Sequence, residues 1–169
     1  MIHIRNAHEG EAEVLTAIGL RAWQRAMAAI GETNVPIEGA ANAFSQFIRE
    51  SWLTISVVEK NGVVAGWAAR ENLDETISDF WIDPDHRRTG LGSALLRRIE
   101  KDILGQGFDT VTLQSHSANA EAIGFFQAHG YAIHWLSVVY SQRLDKDVPT
   151  VGLSKPLVEV GDGGYGPSF

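Results

Sequence analysis

The chain opens with an apolar-polar alternation and then changes period several times, and each change marks an element. Ile2 to Arg5 alternates as a short strand does. From Glu9 to Ile30 the apolar spacing becomes three and four. Leu15, Ile18, Ala22 and Ala26 then form one stripe of a helix, and Gly31 offers its stop. Pro36 marks a loop, and a second helix is predicted over Gly39 to Arg49 with Phe44, Phe47 and Ile48 facing inward. β-branched residues then take over. Leu53 to Glu59 reads as a strand, Asn61-Gly62 as a hairpin turn, and Val63 to Arg70 as the returning strand. After the polar turn Asn72 to Glu75, a strand is predicted over Thr76 to Ile82, ended by Pro84. Leu91 to Leu104 is a helix with Leu96, Ile99 and Ile103 on one side and Gly105 and Gly107 behind it. Thr110 to Gln114 reads as a strand, and Asn119 to His129 as a helix closed by Gly130. Tyr131 to Leu144 reads as one long strand or two short ones, and Val148 to Lys155 as the last. The order β-α-α-β-β-β-α-β-α-β-β predicts a mixed α/β layer of sheet flanked by helices.

Composition narrows the function classes. The 169 residues fit one domain, expected over residues 1–156 and followed by a flexible, glycine-dense tail over 157–169 in which Tyr165 and Phe169 are the aromatic side chains. The chain has no cysteine, which rules out disulfides, Cys-ligated metals and a thiol nucleophile within it. The formal net charge is −7 and Lys and Arg form no large block, so nucleic acid is not the expected partner. No apolar run approaches the ~18 residues that cross a bilayer, and the N-terminal residues lack the basic-then-apolar layout of a signal peptide. A cytoplasmic setting is therefore expected.

The segment from Asp79 to Leu96 carries the chemistry. A strand ends at Ile82, Pro84 breaks it, and the turn Arg87-Arg88-Thr89-Gly90-Leu91-Gly92 leads into a helix. Glycines let main chain approach a ligand closely, and free N–H groups at a helix start favour an anion. Arg87 and Arg88 add charge-assisted donors. The spacing fits neither an ATP P-loop nor a dinucleotide fingerprint. The plain alternative is a helix start packed tightly by small residues.

Ile82-Asp-Pro-Asp-His-Arg-Arg-Thr-Gly-Leu-Gly resembles the acetyl-CoA motif of the GNAT superfamily of N-acetyltransferases, R/Q-x-x-G-x-G/A after a strand. A second block, Asn119-Ala-Glu-Ala-Ile-Gly-Phe-Phe-Gln-Ala-His-Gly-Tyr131, resembles the family's N-x-x-A-x-x-[FL]-Y-x-x-x-G-[FY]. The resemblance implies a mixed, mostly antiparallel sheet of about seven strands flanked by about four helices, with two central parallel strands splayed. It implies acetyl-CoA as cosubstrate, no metal, and N-acetyl transfer by direct attack of a primary amine on a small molecule or peptide. A homodimer is open, since dimers are common among relatives. Main chain at Trp81, Ile82 and Asp83 would hold the pantetheine arm, with the Ile82 N–H as oxyanion donor. Arg87, Arg88, Thr89, Gly90, Leu91, Gly92 and Ser93 would hold the pyrophosphate. Asn119 would reach the pantetheine, or cap the helix that follows it.

The sequence departs from the family at two places. Phe126 stands where many members carry the tyrosine that protonates the leaving thiolate. Gln114 stands where some carry a glutamate base. Glu75, Asp79 and His116 are the candidate bases, each against the plain reading of an idle surface group. For the thiolate, water, another side chain, or no turnover at all (an acyl-CoA-binding or sensor domain) remain open. His129 reads as an exposed residue at a helix end. Trp23, Met27, Phe44, Trp52, Trp67 and Trp135 are candidates to line an acceptor pocket.

Overall fold

The structure is a computed structural model and describes residues 1–157, so all but the first residue of the predicted tail lies outside it. In chain order the elements are β1 (Ile2–Asn6), α1 (Ala12–Ala29), α2 (Ile37–Ser51), β2 (Ile55–Lys60), β3 (Val63–Ala69), β4 (Asp79–Ile82), α3 (Leu91–Gly105), β5 (Thr110–His116), α4 (Ala120–Ala128), β6 (Ala132–Ser141) and β7 (Lys146–Pro156). Neighbours in β1-β2-β3-β4 pair antiparallel, as do those in β5-β7-β6. The two sheets meet at one parallel bridge, Thr76 with Thr112.

Local sequence explains most of these elements. Asn61 (φ 52°) and Gly62 (φ 83°) both take the left-handed conformation that a two-residue I′ hairpin needs, so β2 returns directly as β3. Both faces of the sheet are covered, which is why Val57 and Val58 are buried side by side instead of alternating. α1 and α2 cover one face through Leu15, Ile18, Trp23, Phe44 and Ile48 around Trp67. α3 and α4 cover the other through Leu91, Leu95, Leu96, Ile99, Ile103 and Phe126 against Val58, Ala68, Val111 and Leu153.

Four expectations change in detail. The strand predicted from Leu53 starts at Ile55, because Trp52–Thr54 coil into a 3-10 turn in which the Thr54 hydroxyl donates to Ser51 O at 2.8 Å. The strand predicted from Thr76 is regular only over Asp79–Ile82, because Thr76 pairs with β5 while the chain beyond it pairs with β3. Tyr131 to Leu144 resolves into one strand, β6, with an irregularity between Ile133 and Trp135. The buried stripe of α1 runs through Leu15, Ile18, Trp23 and Met27, whereas Ala22 and Ala26 are half-buried and line a cleft.

Candidate functional site

β4 and β5 lie side by side at only one point. Ile77 N donates to Thr112 O at 2.9 Å, and Thr112 N donates to Glu75 O at 3.0 Å. Beyond that bridge the strands part. Ladder parity then decides which main-chain groups face the opening. Asp83 N donates to Ala65 O and Ser117 N to Pro149 O, so odd-numbered residues near these ends bond outward to β3 and β7. The N–H and C=O groups of Phe80, Ile82 and Gln114 consequently turn into the wedge, with no main-chain partner among the described residues.

Two cavities open from this wedge and share Ala26, Phe80, Trp81, Asn119, Ala122 and Phe126, so they form one continuous cleft. The larger, about 490 Å³, lies over the turn before α3 and is lined by Arg87, Arg88, Gly90, Leu91, Gly92 and Ser93. Gly90 sits at φ +83° and Arg88 at φ 60°. These left-handed residues curl the chain so that the N–H groups of residues 88–93 meet no protein acceptor among the described residues. Gly92 packs on the Phe125 ring, where a Cβ would stand only 3.2 Å away. Thr89 turns its hydroxyl back to His86 O at 2.6 Å, which braces the turn. The turn therefore presents a cradle of free main-chain donors beside Arg87 and Arg88, an arrangement that suits an anion.

Other assigned residues fall differently. Asp83 is buried, and both its main-chain groups are engaged, N–H with Ala65 O and C=O with His86 N. Its carboxylate binds Arg21 at 2.6 Å and caps Asp85 N. Burial opposes that charge, yet Arg21 and the Asp85 N–H hold the carboxyl below its ordinary value. Asp83 therefore braces the turn from within the protein. Trp81 faces β3 with its main chain and reaches the cleft through its indole. Asn119 caps α4, accepting from Ala122 N at 3.1 Å, while also lining both cavities. Phe126 is buried between Phe80 and Tyr131 and touches both cavities. His129 is half-buried, contrary to the sequence reading. Its Nδ1 meets Phe125 O at 2.8 Å and its Nε2 meets Ser93 Oγ at 2.9 Å.

The second cavity, about 310 Å³, lies at the opposite end of the wedge. Asp79 projects into it beside Trp81, and the Trp81 Nε1–H donates to Asp79 Oδ1 at 3.1 Å. Arg143, from the turn between β6 and β7, donates to the same oxygen at 2.8 Å, and its guanidinium lies 4.0 Å over the Phe44 ring. Oδ2 is the oxygen left for a further partner. Burial raises the Asp79 carboxyl above its ordinary value, and Arg143 and Trp81 only partly offset this.

The two other candidate bases are corrected by their surroundings. His116 lines the cavity, but Ala118 N donates to its Nδ1 at 3.1 Å, so the ring proton sits on Nε2 and faces Glu32 at 3.1 Å. Neither nitrogen offers a free lone pair. Glu75 lies on the closed side of the Thr76–Thr112 bridge and lines neither cavity. Among the candidates for an acceptor pocket, Trp23 and Met27 line the cavity, whereas Trp52 lines neither cavity. Phe44 and Trp67 are fully buried core, and Trp135 lies flat over Gly152 on the outer strand. Sequence reading missed Arg143, because an arginine in a polar turn carries no signal of the buried carboxylate it meets.

A wedge between parting strands thus runs to a helix start whose main-chain N–H groups are free. Residues 20–131 match the sequence model of the Acetyltransferase (GNAT) family, and the chain belongs to that family. It is 33% identical over 84 residues to the ribosomal protein bS18-alanine N-acetyltransferase of Escherichia coli strain K12, covering 48% of this chain and 56% of the relative. It is 36% identical over 90 residues to a phosphinothricin N-acetyltransferase of Streptomyces viridochromogenes, covering 49% of this chain and 48% of the relative. The chain thus spans about half the length of the curated relatives it matches. In fold it is similar to a GCN5-related N-acetyltransferase from Rhodopseudomonas palustris (TM-score 0.78, 21% identity, 92% of this chain and 95% of that one). It is also similar to the PaiA N-acetyltransferase of Thermoplasma acidophilum solved in complex with coenzyme A (TM-score 0.73, 15% identity, 92% and 99%). Among the described residues, no helix is long and apolar enough to cross a membrane.

Proposed function

We propose that the protein transfers an acetyl group from acetyl-CoA to a primary amine by direct attack, with its acceptor held in the cavity beside Asp79. The carrying observation is the pair of adjoining cavities that leads from the free main-chain N–H groups of residues 88–93 to the buried carboxylate of Asp79. Acetyl-CoA supplies an activated thioester carbonyl. The residues do the rest. N–H groups of Arg88 to Ser93 take the pyrophosphate, and the free main-chain groups of Phe80, Ile82 and Gln114 take the amides of the pantetheine arm as an added strand would. The Ile82 N–H, turned into the wedge, is the donor offered to the carbonyl oxygen as it gains negative charge. Holding both partners in one cleft supplies orientation.

An ammonium has no lone pair, so the acceptor must lose a proton first. Asp79 is the base that fits. Burial raises its carboxyl above that of an exposed aspartate, so once ionised it is the stronger proton acceptor, and Trp81 and Arg143 fix its orientation. The leaving thiolate finds no phenol at Phe126, and the Tyr131 hydroxyl is turned away to Glu100 at 2.7 Å. A thiolate of ordinary pKa ~8.5 takes its proton from water without further help.

Phe126 and Gln114 favour a second reading, an acyl-CoA-binding domain without turnover. A thiol-release assay over a panel of small amines, amino acids and N-terminal peptides separates the two. Turnover lost in Asp79→Asn supports the enzyme. Coenzyme A binding with no thiol release for any acceptor would leave the binding domain.

A further inference from the structure

At the rim of the larger cavity two arginines converge on one carboxylate. Arg25 Nη1 of α1 donates to Glu121 Oε1 at 2.9 Å, and Arg87 Nη2 of the cradle donates to Glu121 Oε2 at 2.7 Å. All three residues line the cavity. We propose that Arg25 is a further ligand for the cosubstrate diphosphate, and that Glu121 is an internal stand-in anion which the diphosphate displaces. This rests on the acetyl-CoA reading given above.

The geometry carries it in three steps. First, Glu121 presents two oxygens to two guanidinium groups from separate elements, as a phosphate oxygen pair does. Second, the arrangement is exchangeable. The side chains are 40%, 54% and 31% exposed for Arg25, Glu121 and Arg87, and ion pairs this open contribute little to holding a fold together. Third, the spot favours an anion whichever group fills it. It lies between the free N–H groups of residues 88–93 at the start of α3 and the first turn of α4, where Glu121 sits. The two arginines also hold the Glu121 carboxyl below its ordinary value. A diphosphate offers more charge and more acceptor oxygens than a carboxylate, so it takes both arginines while Glu121 turns to solvent. Ala22 and Ala26 flank Arg25 on the cleft side of α1, and their small side chains leave the path to the cradle clear.

Calorimetric titration of coenzyme A into the full chain tests this. Arg25→Ala should weaken binding about five- to tenfold and flatten its salt dependence, with Arg25→Lys in between. Glu121→Gln should bind a few-fold more tightly, because a competing charge is gone. The Arg25→Ala loss should persist with 3′-dephospho-coenzyme A. Equal binding by Arg25→Ala and wild type would overturn the proposal. So would a Glu121→Gln loss as large as that of Arg25→Ala, since Glu121 would then be positioning the arginines. A loss seen with coenzyme A but absent with the dephospho form would overturn the assignment to the diphosphate. Failure of the wild type to bind coenzyme A would instead sink the acetyl-CoA reading itself.

Discussion

The two ends of the cleft are built by different means. The cradle end uses consecutive residues of one turn, and its donors are main-chain N–H groups set by left-handed Arg88 and Gly90. The Asp79 end uses side chains from distant elements: Asp79 from β4, Arg143 from the β6–β7 turn, Trp23 and Met27 from α1. The cradle's arginines are partly exposed. The Asp79 carboxylate is buried and leans on a single guanidinium. Main-chain donors are set by the local turn, whereas the Asp79 cluster depends on side chains brought together from distant elements.

The sharpest way to break this contrast is at the base. Asp79→Asn should lower acetyl transfer about 10²- to 10³-fold while leaving coenzyme A affinity within twofold, by steady-state kinetics and calorimetry. An equal fall in both would show the two ends are not separable. Next comes stability. Arg143→Ala leaves the buried Asp79 without its cation and should cost about 3 kcal/mol in chemical denaturation. Gly90→Ala forces an L side chain into the left-handed region and should cost about 1–2 kcal/mol, and it should also weaken coenzyme A binding. The smallest effect belongs to the rim. Glu121→Gln without ligand should change stability by under about 1 kcal/mol, because its ion pairs are half exposed.

Acid titration separates the two ends by sign. At Asp79 the folded carboxyl is raised, so the folded state holds that proton more tightly than the unfolded chain. Its contribution is fully present below the ordinary carboxylate range and is lost as pH rises through the raised value. At Glu121 and Asp83 the folded carboxyls are lowered, so their contributions stand above the ordinary range and are lost as pH falls. The melting temperature of Asp79→Asn minus that of the wild type should therefore climb as pH rises above the ordinary carboxylate range. A flat difference would mean the carboxyl is not shifted.

Much of the cradle was legible before folding, because its information is local. Pro84, Gly90 and the onset of the Leu91 helix fix a strand, a turn and a helix start within a dozen residues. The Asn61-Gly62 hairpin, the stop at Gly31 and the Asn119 cap follow from backbone preferences that act over one turn. The parting of β4 from β5 was legible only through family resemblance, since nothing in Thr76 or Thr112 alone says that pairing stops between them.

What tertiary structure alone decided is which side chains meet. Arg143 on Asp79, Glu32 on His116, Arg21 on Asp83 and Arg25 with Arg87 on Glu121 all join residues far apart in the chain. Periodicity records whether a position faces inward. It does not record which charge from another element arrives beside it, and the surroundings so assembled shift each carboxyl in its own direction, Asp79 up through burial and Glu121 down beside two arginines.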